Sequence, residues 1–150
     1  MTQRHNLESV LPPLPCACST LRRAARAVTQ LYEEELRPTG LRVTQFTLLM
    51  ALAHVGEATQ GDLGRALVLD STTLTRMLKL LEQEGLVRSS PGRDRRQRHL
   101  SLTLAGKRKL EHVRPHWEKA QTRLQASLGK HEWDTVQASL DRITQAAEEA

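Results

Sequence analysis

Four arginines, Arg93, Arg95, Arg96 and Arg98, stand within six residues, broken only by Asp94 and Gln97, and Lys107, Arg108 and Lys109 follow shortly after. A guanidinium is a planar fork that holds phosphate bidentately, so the cluster is the electrostatic footprint of a phosphate-bearing partner. A basic run alone also suits a solvated loop; its neighbours decide between the two. Upstream lies a second set, Ser71, Thr72, Thr73, Thr75, Arg76 and Lys79. It offers short hydroxyls for base edges or thymine methyls, one guanidinium that can pair with guanine, and one ammonium for phosphate. Ser and Thr at a helix start also act as caps.

Other reactive residues point to weaker chemistry. Cys16 and Cys18 are one residue apart and cannot join distant parts of a fold, so they read as thiols. Cys18 falls at the start of a helix with Arg22 one turn on, a setting that favours the thiolate and so a redox switch. His112 and His116 have an i, i+4 spacing that can clip a metal, but Pro115 between them and the lack of carboxylates in ligand spacing favour solvated surface. No nucleophile elbow, phosphate-cradling glycine loop or catalytic carboxylate pair occurs. Neither an enzyme nor a cofactor is expected.

The chain has 150 residues, about one domain, with 22 Lys+Arg against 17 Asp+Glu and a net charge of +5. Residues 1–59 carry a net +1, residues 60–109 a net +6 and residues 110–150 a net −2. The middle third therefore owns the surplus. Phe46, Tyr32, Trp117 and Trp133 are the only aromatics, too few for the stacking platforms of single-strand or RNA readers, so duplex DNA is the expected partner. No run approaches the roughly 18–20 apolar residues of a membrane span. The N-terminal stretch with Pro12, Pro13 and Pro15 is too broken for a signal peptide. These features predict a cytoplasmic protein without a membrane partner.

Periodicity supplies the elements that position these groups. A first amphipathic helix, capped at Ser19, carries Leu21, Ala24, Ala25, Val28, Leu31, Tyr32 and Glu35 and ends at Pro38 and Gly40. A second runs from a Thr44 cap to Val55, with Phe46, Leu49, Met50, Leu52 and Ala53 inside and Gly56 as its stop. Thr59 opens a short third helix to about Leu67. After the turn Val68-Leu69-Asp70, a fourth helix buries Leu74, Met77, Leu78 and Leu81 and stops at Gly85. Thr72, Thr73, Thr75, Arg76 and Lys79 then face away from the leucine stripe. This is a helix-turn-helix. The period next falls to two: a strand over 86–90, a Pro91-Gly92 turn, and a returning strand from Arg98 to Leu104 put the arginines on a hairpin tip, from which they can reach a minor groove. A long helix from Ala105 to about Gly129, expected to kink at Pro115, and a last helix from about His131 complete the chain. The expected fold is mainly α with a small β-hairpin wing: a winged helix-turn-helix lobe over 41–104, with a helical dimerisation region formed by 1–37 and 105–150. The terminal helices are too exposed to be buried by the lobe alone, and a second copy would cover them.

In order and spacing, Thr73-Leu74 with Arg76, Leu81-Glu82, Gly85-Leu86-Val87, Asp94-Arg95-Arg96, and Thr103 with Gly106 resemble the MarR family of bacterial transcriptional regulators. The resemblance runs from Cys18 to the end of the chain. It implies a homodimer on a pseudo-palindromic operator, a repressor released by a small phenolic ligand or by oxidation. Asp94 would orient a neighbouring arginine, and Arg96 would meet the DNA backbone or minor groove. The family's peroxide-sensing branch bears a cysteine and, fourteen residues later, a tyrosine, matched here by Cys18 and Tyr32; Arg22 stands where a second tyrosine assists the thiol. Cys16, Cys18 and Tyr32 are thus the redox candidates. A winged-helix module for protein contacts, without DNA binding, is the other reading.

Overall fold

The computed structural model describes residues 16–94 and 96–150; the first fifteen residues and Arg95 lie outside them. Helix α1 (Ala17–Leu36) starts two residues before the expected Ser19 cap, with Cys16 at the N-cap and no side-chain cap bond. A single 3-10 turn, Arg37–Thr39, follows, and Gly40 at φ 73° redirects the chain. Helix α2 (Val43–Val55) begins at Arg42 rather than at a Thr44 cap. Its first turn is held by Gln45 Oε1, accepting from the Arg42 N–H at 2.9 Å, and by Glu33 Oε1 of α1, accepting from the Val43 N–H at 3.0 Å. Gln45 supplies the local half of this cap, while the carboxylate that satisfies the Val43 N–H is borrowed from another helix, so the spacing of α2 alone does not mark the boundary. On α2 the core takes Phe46, Leu48, Leu49 and Leu52, while Ala53, expected inside, is exposed.

A strand absent from the sequence reading, β1 (Glu57–Thr59), precedes α3 (Gln60–Ala66). Thr59 caps α3, its Oγ1 accepting from the Asp62 N–H at 3.1 Å. The turn into α4 (Ser71–Gln83) closes with Leu69 N–H to Gly64 O at 2.9 Å and Val68 N–H to Arg65 O at 3.2 Å. Val68 sits there at φ 51°, a left-handed position taken by a β-branched residue. Helix α4 ends in a Schellman motif: Gly85 at φ 71°, Leu86 N–H to Leu81 O at 2.9 Å and Gly85 N–H to Glu82 O at 3.0 Å.

Strands β2 (Val87–Pro91) and β3 (Arg98–Leu102) pair antiparallel from Val87–Leu102 to Pro91–Arg98. β1 adds to the other side of β3, with Glu57 opposite Ser101 and Thr59 opposite His99, giving a three-stranded sheet in the order β1-β3-β2. Pro91, which lacks an N–H, is tolerated because β2 is an edge strand. Leu104 does not continue the strand: it is 64% exposed and opens α5 (Leu104–Leu128). Thr103 ends the alternation by capping α5, its Oγ1 accepting from the Gly106 N–H at 3.0 Å and donating to Gly85 O at 2.6 Å. Gly106 packs directly on the Leu86 carbonyl, where any Cβ would collide. Helix α5 runs through Pro115 as one element, and α6 (Lys130–Glu149) follows Gly129.

One core holds the parts together. Leu36 of α1 and Leu110 and Val113 of α5 belong to the same buried cluster as Leu63, Leu74, Leu78, Leu81, Leu100 and Leu102. By contrast, α6 has no buried residue, and α1 buries only Tyr32, Glu35 and Leu36 at its C-terminal end. No helix among the described residues is long and apolar enough to cross a membrane.

Candidate nucleic-acid interface

Helix α4 is oriented by its leucines. With Leu74, Leu78 and Leu81 buried, Ser71, Thr72, Thr73, Thr75, Arg76 and Lys79 are all exposed. They are not chemically equivalent. The cap is Asp70: its Oδ1 accepts from the Thr73 N–H at 2.9 Å and its Oδ2 from the Thr73 hydroxyl at 2.6 Å. The Thr73 hydroxyl and backbone N–H hold the Asp70 carboxyl below the usual carboxylate range. The Thr73 proton is therefore committed inside the protein. Thr75 Oγ1 accepts from Gln60 Nε2 of α3 at 2.7 Å. Ser71, Thr72, Arg76 and Lys79 keep their polar ends outward.

Beside this helix stands the wing. Arg93, Arg96 and Arg98 are exposed; Arg95 is outside the described residues. The strands pair as far as Pro91 and Arg98, and the tip is closed by Gly92 N–H to Gln97 O at 2.8 Å and Gln97 N–H to Asp94 O at 2.9 Å. Asp94 Oδ1 accepts from the backbone N–H of Arg96 at 3.0 Å, an Asx-type turn that sets the path of the tip. The base of the wing is braced by Arg88 Nε donating to Ser101 Oγ at 3.1 Å and by His99 Nδ1 beside Glu57 Oε1 at 3.2 Å. Between wing and α3 lies a cleft of about 480 Å³ flanked by Arg65, Arg96 and Arg98. Arg65 pairs with Asp62 at 2.5 Å, and the Thr59 hydroxyl, ahead of Arg65, keeps the Asp62 carboxyl below its ordinary value.

Not every basic or reactive residue joins this face. Lys109 Nζ donates to Thr39 O at 2.5 Å and ties α5 to the turn after α1. His116 Nδ1 lies 3.1 Å from Glu35 O, and its ring centroid is 6.2 Å from that of His112. No group of three or more His, Cys, Asp or Glu residues placed for a metal occurs among the described residues. Glu35 is the hub of the α1–α5 seam, with Lys119 Nζ at 2.9 Å and Arg123 Nη1 at 2.5 Å; hydrogen bonds from Lys119 and then Arg123 lower its pKa. Cys16 and Cys18 are exposed, free thiols. Tyr32 is buried, donates to Gln121 Oε1, and has its pKa raised by desolvation. Fourteen residues separate it from Cys18 on one helix, roughly 21 Å along the axis, so the two do not meet within one chain.

The sequence reading missed Gln60 and the bracing pairs of the wing. The only local hint for Gln60 was its place just after the Thr59 cap.

The fold and this exposed face define a winged helix-turn-helix protein. A model of the MarR family matches residues 39–97. The structure is similar to the M. tuberculosis transcriptional regulator MosR in complex with DNA, with a TM-score of 0.81 and 38% identity over 89% of this chain and 97% of that one. In sequence the chain is 31% identical to the uncharacterized HTH-type transcriptional regulator YwoH of Bacillus subtilis over 62% of this chain and 68% of that protein. It is 36% identical to the organic hydroperoxide resistance transcriptional regulator of the same organism, over 59% of this chain and 61% of that protein. The chain belongs to the MarR family of winged helix-turn-helix transcriptional regulators.

Proposed function

We propose that the chain is a homodimeric regulator of transcription that works in the cytoplasm on duplex operator DNA. Helix α4 enters the major groove, the wing follows the backbone to the minor groove, and a two-fold dimer presents both heads to a pseudo-palindromic site. Its half-sites lie about one helical turn, roughly 34–36 Å, apart. The observation that carries this reading is the outward set Ser71, Thr72, Thr75, Arg76 and Lys79 beside the exposed wing arginines Arg93, Arg96 and Arg98. The dimer is supported by apolar side chains left open on α1 and α6: Val28, Leu140 and Ile143 are 37%, 42% and 44% exposed. The test is duplex binding as a function of salt, with sedimentation to give the oligomeric state. A steep fall in affinity with rising salt, a preference for paired half-sites and a dimer mass are expected. Salt-insensitive binding without half-site preference would favour the protein-contact module instead.

Repression relieved by a small phenolic effector or by oxidation is the mode of control we infer. For the oxidative branch, the supporting observation is that Cys16 and Cys18 are free and exposed at the N-terminal end of a 20-residue helix. Titrating reduced and peroxide-treated protein against the same operator duplex tests it. Weaker binding after treatment is expected, and equal affinities end the redox reading.

A further inference from the structure

Four threonine and serine hydroxyls inside this protein's helices bond back to the carbonyl four residues earlier. Thr47 donates to Val43 O at 3.0 Å, Ser127 to Arg123 O at 3.0 Å, Thr135 to His131 O at 2.9 Å and Thr144 to Leu140 O at 3.0 Å. Thr75 makes no such bond among the described residues; its Oγ1 instead accepts from the Gln60 amide of α3 at 2.7 Å. A hydroxyl has one proton and two acceptor positions. With one acceptor position filled and the back-bond unmade, the Thr75 proton is the group left to offer. Behind the pair, a crevice of about 130 Å³ separates α4 from the sheet. Ser89 Oγ is buried in this region without a partner among the described residues. That gap is lined by Leu78 and Leu100 as well as by polar side chains, and the hydrogen bond from Gln60 is the contact that orients the Thr75 hydroxyl.

We propose that Gln60 is a specificity-determining positioning residue: by donating to Thr75 Oγ1 it fixes Thr75 as a hydrogen-bond donor toward the groove. The inference rests on the reading of α4 as the helix that meets DNA. A fixed donor selects bases that present acceptors in the major groove, guanine through O6 and N7, thymine through O4 or adenine through N7, and disfavours cytosine, which offers only its amino edge. Gln60→Glu reverses the roles. A carboxylate only accepts, so it takes the Thr75 proton and leaves a lone pair facing the groove, which suits the amino groups of cytosine and adenine. The variant keeps the fold because residue 60 opens α3, where negative charge is favoured.

The experiment is selection from a random-sequence duplex library by the full-length chain, compared for wild type, Gln60→Glu, Thr75→Val and the double variant. Wild type should disfavour cytosine at one position of each half-site. Gln60→Glu should shift that position about ten-fold toward cytosine, Thr75→Val should lose the preference, and Gln60→Glu should add nothing in the Thr75→Val background. Identical preferences in wild type and Gln60→Glu overturn the inference while leaving the function intact. A shift that persists without Thr75 also overturns it, because Gln60 then touches the base itself. Failure of the wild type to enrich any sequence overturns the DNA-reading function and this inference with it.

Discussion

Asp94 holds the peptide of Arg96: its Oδ1 accepts from the Arg96 backbone N–H at 3.0 Å. The family resemblance implies that Asp94 orients a neighbouring arginine; the bond seen among the described residues is to the Arg96 backbone and acts on the chain path. A neutral amide oxygen accepts from a backbone N–H as well as a carboxylate oxygen does, whereas an ion pair needs the charge. Asp94→Asn should therefore bind duplex DNA nearly as wild type does. Asp94→Ala should lose about three- to ten-fold, the value of one hydrogen bond. Fluorescence anisotropy on a labelled duplex separates them; equal losses in both variants would point to charge.

The wing and the reading helix should fail in different ways. Arg96→Ala should weaken binding to every sequence and lower the slope of log affinity against log salt by about one. Arg76→Ala should cost roughly 1–3 kcal/mol and relax one operator position. Unchanged affinity of Arg76→Ala for every operator variant would remove α4 from the groove.

Val68 occupies a left-handed position at φ 51° while 59% exposed. A Cβ in that region costs roughly 1–2 kcal/mol, and little packing is lost by deleting so exposed a side chain. Val68→Gly should raise the melting temperature by a few degrees and Val68→Pro should lower it, because proline cannot adopt positive φ and would remove the N–H bonded to Arg65 O. Calorimetry of the two variants provides the check.

Gly106 offers the opposite case, a glycine required by contact. A Cβ there runs into the backbone carbonyl of Leu86, which cannot swing away as a side-chain end would. Gly106→Ala should destabilise by about 2 kcal/mol or more and detach the wing from α5, read as a lower urea midpoint.

The carboxylates set the response to acid. Glu35, Asp62 and Asp70 all have lowered pKa values, so each stabilises the fold above its ordinary range of 4.5 for Glu and 3.8 for Asp and loses that contribution as pH falls through the lowered value. The melting temperature should be flat near neutrality and decline below about pH 4–5. Glu35→Gln should show a lower plateau and a shallower decline, measured by circular dichroism across the same pH series.

Much of the architecture was legible because it rests on local rules. The leucine stripe of α4, Gly85 after it, and Thr59 ahead of α3 each carry their cause within a few residues. What was not legible depends on distant partners. The start of α2 uses Glu33 from another helix, β1 exists only because β3 offers it a ladder, and Leu104 leaves the strand pattern because Thr103 turns to cap α5. The site divides similarly. Exposure of the reading residues followed from periodicity, whereas the commitment of Thr73 to Asp70 and of Thr75 to Gln60 depends on side-chain geometry that spacing does not encode.

The core shared by Leu36, Leu110, Val113 and the leucines of α4 leaves no soft joint between the long helices and the reading head. Helix α5 then has the geometry of a lever arm. Its 25 residues span about 37 Å, so a tilt of roughly 10° at the far end sweeps its root by about 6 Å, close to two base-pair steps at ~3.4 Å each. In the proposed complex, a small rotation among the terminal helices would thereby be geared up into a displacement large enough to take the head out of register with the DNA.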